Sequence, residues 1–236
     1  MTDETSNSDQ SAESDQSADS DQPADGDQTA DSDDTDTQST PTLAADAQRN
    51  FPVPAFGDLP EDLQERIAQE AEEAGFTPNV FAALAYKPSQ FRAFVAFHDA
   101  LVDDTPLDRI EVEMIVVAVS GVNHCLYCNV AHGALCRIYG DDPQLAEQLI
   151  SNYRTADISD KRREMLDVAV KLTESPATVT GEDLDRLYEA GYSEEEVWDI
   201  GAVASFFNLS NRMATFADWR PNDEFYTLGR GGPTQD

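Results

Sequence analysis

From Phe51 onward, apolar residues recur at intervals of three and four, the spacing of a single helix face. The pattern predicts helices over 60–74, stopped by Gly75, over 78–86, and over 89–102 with Phe91, Phe94, Val95, Phe97 and Leu101 on its apolar side. A helix over 105–120 follows, with Thr105 as cap, Pro106 at the first helical position and Asp108 in the first turn. Asn123 can cap the next, which ends at Gly140. Helices over 143–153 and 160–173 and one opening at 180–183 come next, and Ser193 to Glu196 is a capping box for a long helix reaching about Trp219. Val203, Phe206, Phe207 and Leu209 nearly encircle that last helix, which suits a core or a subunit interface. No run alternates apolar and polar as a half-buried strand would, so the expected fold is all-α, with one helical domain over 51–228 and a flexible end over 229–236.

Residues 1–50 follow a different regime. They hold 14 acids, one base (Arg49) and one large aliphatic residue (Leu43), with no aromatic. A six-residue unit recurs from Ser8 as SDQSAE, SDQSAD, SDQPAD and GDQTAD before degrading. Such composition cannot bury enough apolar surface to offset the entropy of ordering, so a disordered acidic tail is expected. The net charge of the chain is −32, and the part beyond residue 50 still carries 33 acids against 14 bases. A surface of that sign makes nucleic acid and anionic membrane poor partners. It is also a pattern used by halophilic proteins, so a salt-loving source is the working hypothesis. Three cysteines in 236 residues suit a reducing compartment. No basic and apolar pair marks a signal peptide, and no apolar run approaches the roughly 20 residues of a membrane span. The expected location is cytoplasmic.

The chemistry is concentrated between Glu113 and His132. This stretch holds Cys125, Cys128, His124 and His132, with one acid beside a long uncharged run. Cys125, Cys128, His132 and Cys136 are spaced by three, four and four, which places them on one helix face. Cysteines three apart in a helical turn have Cα atoms roughly 5–6 Å apart, within disulfide range. Glu113 shares a face with Ile110, Val116 and Val117, so its carboxylate should be partly desolvated, with a raised pKa if no charge pairs with it. A thiolate that attacks a peroxide O–O bond becomes a sulfenic acid, and a second thiol resolves that to a disulfide. An acid and an imidazole can move the protons involved. Two thiols, one acid and one imidazole are therefore a minimal set for thiol peroxidase chemistry.

The order Glu113, eleven residues, Cys125, two residues, Cys128, three residues, His132 resembles the motif of the alkylhydroperoxidase D-like (carboxymuconolactone decarboxylase) superfamily. Asn123 and His124 before the first cysteine, Tyr127 between the pair, and Phe207-Asn208-Leu-Ser-Asn211-Arg212 resemble its peroxidase-related branch. The resemblance covers about 51–225 and implies an all-α fold, a homo-oligomer and reduction of organic hydroperoxides or hydrogen peroxide. By resemblance, Cys128 attacks, Cys125 resolves, His132 activates Cys128, and Glu113 relays protons. Helix-dipole reasoning alone gives the lower pKa to Cys125, which is nearer the helix N-terminus. No cofactor motif is visible, so electrons would come from an external thiol reductant, with a lipoyl-bearing protein as one candidate by resemblance.

Other readings of the same residues differ in what they require. Cys125, Cys128, His132 and Glu113 could ligate zinc, but structural zinc sites usually draw on two separated ligand pairs, so no metal is expected. A lyase of the same superfamily would use Glu113 and His132 without thiols. A redox-sensing module would cycle the disulfide without turnover. Cys136 reads as a small buried hydrophobe, His98 as structural, and His124 as a packing or capping residue or, alternatively, as one that touches the site. Asn208, Asn211 and Arg212 read as hydrogen-bonded links between helices or, alternatively, as substrate contacts. The acidic composition predicts that far-UV circular dichroism will show incomplete folding in dilute buffer and full helicity in molar salt; full helicity in dilute buffer would sink the halophilic reading.

Overall fold

In the computed structural model, which describes residues 40–231, nine α-helices account for the architecture, and no strand occurs among the described residues beyond a single bridge between Gln48 and Trp219. They are α1 (Glu61–Ala74), α2 (Asn79–Leu84), α3 (Pro88–Asp103), α4 (Arg109–Val122), α5 (Leu126–Gly140), α6 (Leu145–Asn152), α7 (Asp160–Glu174), α8 (Gly181–Glu189) and α9 (Glu194–Ala217). Each predicted helix is present, with ends moved by a few residues. Local chemistry explains the ends. Gly75 closes α1 at φ 77°, a left-handed conformation that glycine adopts without cost. Capping boxes open α8 (Thr180 with Asp183) and α9 (Ser193 with Glu196).

The start of α4 differs from the expected one. Thr105 lies outside the helix, where its Oγ1 accepts a hydrogen bond from the Leu107 N–H at 3.3 Å. Asp108 is the cap and closes a capping box with Glu111. The box satisfies two orphan donors reciprocally, which a lone threonine cap cannot do.

α4 is the axis of the molecule. Every residue from Glu111 to Ser120 is buried, because α5, α6, α7 and α9 pack around it. This is why its sequence is apolar on all sides rather than along one stripe. Two core clusters result. The larger joins α4 to α6, α7 and α9; the smaller joins α1, α2, α3, the start of α5, and Trp219. Cys125 and Cys128 belong to the smaller cluster, and Phe94 packs against both.

The repeats and most of the acidic tail, at residues 1–39, lie outside the described residues, as do residues 232–236. The last residues assigned to the tail by composition are packed. Gln48 is buried, its Nε2 donates to the carbonyls of Ala83 and Pro52 at 3.3 and 3.2 Å, and the Arg220 N–H donates to the Ala47 carbonyl at 2.8 Å. Buried backbone and amide groups must find partners; α2 and Pro52 supply them for the Gln48 amide, and the end of α9 and its following turn supply them for the backbone of Ala47, Arg49 and Asn50. No helix among the described residues is long and apolar enough to cross a membrane.

Ile115 is fully buried in the middle of α4. Ile115→Ala should cost about 2–5 kcal/mol of unfolding free energy in denaturant titration at high salt, from lost transfer energy and the cavity left behind.

Candidate active site

The turn from α4 into α5 places the thiols. Asn123 ends α4 in helical backbone, and His124 follows at φ 53°, in the left-handed region that histidine, asparagine and aspartate enter more readily than most residues. Asn123 was the expected cap of the next helix, but Cys125 holds that position. The backbone of Cys125 is extended, and its Sγ accepts from the Cys128 N–H at 3.3 Å. The Asn123 amide is committed elsewhere, donating to Asn208 Oδ1 at 3.0 Å and Asn211 Oδ1 at 2.9 Å.

Cys125 and Cys128 are free buried thiols with sulfurs 2.7 Å apart. They differ electrostatically. The hydrogen bond from Cys128 favours a Cys125 thiolate, and the Cys128 N–H and Asn211 add to it; together they outweigh burial and hold Cys125 below the ordinary thiol range. Burial pushes Cys128 well above that range, and the neighbouring Cys125 sulfur adds to the effect. The direction at Cys125 agrees with its place at a helix N-terminus.

Glu113 projects from α4 toward α5 and is 1% exposed. Its Oε2 accepts from His132 Nδ1 at 2.9 Å, and its Oε1 lies 2.9 Å from Arg109 Nη2, one helical turn earlier. Burial alone would raise the carboxyl pKa. His132, Arg109 and His98 more than offset it, and the carboxyl titrates below its ordinary value. The raised pKa expected for an unpaired acid therefore does not arise, because charge does pair with it. The His132 ring packs edge-on against Phe207, with centroids 4.8 Å apart. Among the described residues, no hydrogen bond joins His132 to either sulfur.

Cys128 and His132 share a cavity of about 370 Å³. Its walls are mostly apolar and aromatic, including Phe81, Phe94, Phe206, Phe207, Tyr127 and Trp219, and its polar groups include Arg109, His98 and Ser210. The Tyr127 hydroxyl accepts from the Val80 N–H at 3.1 Å, and burial raises its pKa. A larger open groove of about 1110 Å³ between α7, α8 and α9 contains no cysteine or histidine and lies away from the thiols. Among the described residues, no three His, Cys, Asp or Glu side chains cluster as a metal site would require.

The remaining expected residues lie behind or beside the cavity. Asn211 donates to Ser120 Oγ at 2.9 Å, and Asn208 donates to Thr173 Oγ1 at 2.9 Å, so with Asn123 they tie α9 to α4 and α7. Arg212 donates to Asn208 Oδ1 at 2.8 Å on the exposed side. His124 is exposed and does not line the cavity. Cys136 is buried in the core, its thiol pushed up to about 12 by burial. His98 does line the cavity, with Nδ1 3.3 Å from Asp99, and burial lowers its pKa. Sequence reasoning missed Arg109 and Ser210. Arg109 had a usable signal, since it stands four residues before Glu113 on a helix; Ser210 had none beyond its place in the Phe207–Arg212 segment.

Comparison with known proteins bears on this arrangement. The Carboxymuconolactone decarboxylase family model matches residues 88–171, which contain Glu113, both thiols and His132. An uncharacterized peroxidase-related protein from Ralstonia eutropha JMP134, with an alkylhydroperoxidase AhpD core, is 49% identical over 77% of this chain and 96% of its own, with a TM-score of 0.76. The chain belongs to the alkylhydroperoxidase D-like, carboxymuconolactone decarboxylase superfamily. A second peroxidase-related member, from Silicibacter sp. TM1040, is 36% identical over 81% of this chain and 99% of its own, with a TM-score of 0.74. No curated protein matches the sequence. The all-α fold expected from periodicity is the alkylhydroperoxidase D-like fold.

Glu113 also carries a stability prediction. Its folded pKa is depressed, so its contribution is present above the ordinary value of 4.5 and is lost as pH falls through the folded value. Glu113→Gln should lower unfolding free energy by about 1–3 kcal/mol at neutral pH. The gap from wild type should close on acidification below the ordinary carboxylate range, as read by denaturant titration in constant high salt.

Proposed function

We propose that this member of the superfamily is a thiol-dependent peroxidase that reduces organic hydroperoxides or hydrogen peroxide through a Cys125–Cys128 disulfide. One observation carries the reading: two free thiols in contact, one of them lining an aromatic cavity whose wall also holds His132, the imidazole paired with the buried Glu113 carboxylate. Cys128 is the attacking thiol because it lines the cavity. Cys125, the sulfur that better holds negative charge, first gives up its own proton, which passes by way of the cavity to His132; the Cys125 thiolate then takes the Cys128 proton across their 2.7 Å contact. The Cys128 thiolate attacks the terminal peroxide oxygen; the S–O bond forms and the O–O bond breaks. The leaving alkoxide takes a proton delivered from His132, whose Nδ1 is held by Glu113. Cys125 then displaces hydroxide from the Cys128 sulfenic acid, and the proton on Cys125 makes that hydroxide water. The balance is two thiols and one hydroperoxide giving one disulfide, one alcohol and one water. An external dithiol, a lipoyl-bearing protein by resemblance, returns the two electrons.

Mass spectrometry of the reduced protein after one equivalent of cumene hydroperoxide should show loss of two hydrogens, mapped to Cys125–Cys128. Cys128→Ser should abolish the reaction, and Cys125→Ser should stop at a sulfenic acid trapped on Cys128 by dimedone. Thiols that oxidise no faster than free cysteine would sink the peroxidase reading. Activity that survives Cys128→Ser would favour the lyase chemistry of the superfamily.

A further inference from the structure

We infer that Arg109 is a positioning residue of this site, whose fixed charge keeps Glu113 an anion, so that the carboxylate orients and polarises His132 rather than carrying a proton itself. The inference rests on the reading of Glu113 and His132 as the acid–imidazole pair of the site. Its geometric basis is the use of both carboxylate oxygens: Oε2 faces His132 Nδ1 and Oε1 faces Arg109 Nη2, each at 2.9 Å. No acid in another described ion pair is as deeply buried, since the next, Asp183 and Glu111, have side chains 5% and 6% exposed against 1% for Glu113.

A buried carboxylate facing an imidazole alone has two electrically similar states. The proton can stay on nitrogen as an ion pair, or cross to oxygen and leave two neutral groups that need no solvation. Burial favours the neutral state. A guanidinium on the far oxygen reverses that preference, because arginine does not deprotonate in proteins and its attraction to the carboxylate is strong where water is excluded. With the carboxylate held as an anion, His132 keeps its Nδ1–H, and its Nε2 is left as the end that exchanges protons with the cavity.

The arginine is placed for this task. It is the first residue of α4, so its side chain runs along the same helix face one turn before Glu113. Its guanidinium lies 5.0 Å from the Tyr139 ring centroid, and both residues form part of the cavity wall. Its buried Nε has no partner, so it holds the carboxylate by one arm rather than as a two-pronged clamp. The titratable groups that face Glu113 are Arg109 from α4, His132 and Cys136 from α5, and His98 from α3. Burial lowers the pKa of His98 and raises that of Cys136, so both are neutral near neutral pH. Arg109 is then the one permanent cation of the set.

The test is infrared difference spectroscopy of the full-length reduced protein in high salt. Wild type, Arg109→Lys, Arg109→Met and Arg109→Gln are each titrated and referenced to the same protein carrying Glu113→Gln, which isolates the Glu113 carboxylic-acid stretch. Wild type and Arg109→Lys should develop that band only in acid. Arg109→Met should develop it at a pH higher by about one unit or more, since a neighbouring cation lowers a carboxyl pKa by about 1–3 units. Arg109→Gln keeps a hydrogen-bond donor without charge and should shift the same way; it carries the test if Arg109→Met fails to fold. The acid limb of the thiol-oxidation rate with cumene hydroperoxide should move by the same amount and return with Arg109→Lys. A Glu113 band unmoved in Arg109→Met and Arg109→Gln overturns the inference. So does a rate loss that is equal at every pH and unrescued by lysine, which would mark a packing role on Tyr139. A band that shifts while no variant oxidises its thiols supports the role of Arg109 and refutes the peroxidase reading, so the two failures are distinguishable.

Discussion

A carboxylate sits where the packing of α4 leaves almost no water. Taking such a group out of solvent costs several kcal/mol unless opposite charge and hydrogen bonds replace its hydration. Much of the site follows from that requirement. Oε1 needs a cation, and Arg109 is within one turn. Oε2 needs a donor from a facing element, and His132 on α5 supplies it. The pairing of α4 with α5 is thus set by charge as well as by apolar contact. The same pairing brings the start of α5, with its two thiols, to the edge of the cavity. A structural demand and a chemical one are met by the same four atoms.

The thiols divide their properties in a way that residue type alone does not dictate. Both are cysteines, both are buried, and they stand three residues apart. Cys125 lies outside the helix and uses its sulfur as the cap, so it collects the backbone N–H of Cys128 and the positive end of the helix. Cys128 lies inside the first turn, where burial in the smaller core cluster works against charge. Stabilised charge therefore belongs to one sulfur and access to the cavity to the other. The 2.7 Å contact lets each supply what its partner lacks.

The sequence made the helices legible because several carry their own punctuation: Gly75 after α1, Gly140 at the end of α5, and the Ser193–Glu196 box before α9. The grouping of Glu113, Cys125, Cys128 and His132 was legible for a related reason, since helical spacing turns sequence intervals into shared faces. The rest depends on contacts between segments distant in the chain. His98 reaches the cavity only because α3 packs against α9, and by residue type alone it reads as a structural residue of an amphipathic helix. Residues 44–50 have tail-like composition, yet they lie along the end of α9 because that end exposes carbonyls and N–H groups to be met. Asn123 reads as a cap by type, but tertiary partners on α9 claim its amide first.

The excess of acid makes the choice of buried partners informative. Beyond residue 50 the chain has 14 bases against 33 acids, so each cation has many possible partners at the surface. Exposed pairs such as Arg92 with Asp62 are worth little, and in molar salt, where the screening length falls to about 3 Å, they are worth less. Glu113 itself is shielded from that screening by the core around α4, although the Arg109 side chain that reaches it is 31% exposed. If the surface is adapted to high salt, the electrostatics on which proton movement depends must lie where salt does not reach. An arginine at the first position of α4, reaching inward to an acid that is almost wholly buried, meets that condition at the carboxylate end, whereas a pair with both partners at the surface would not.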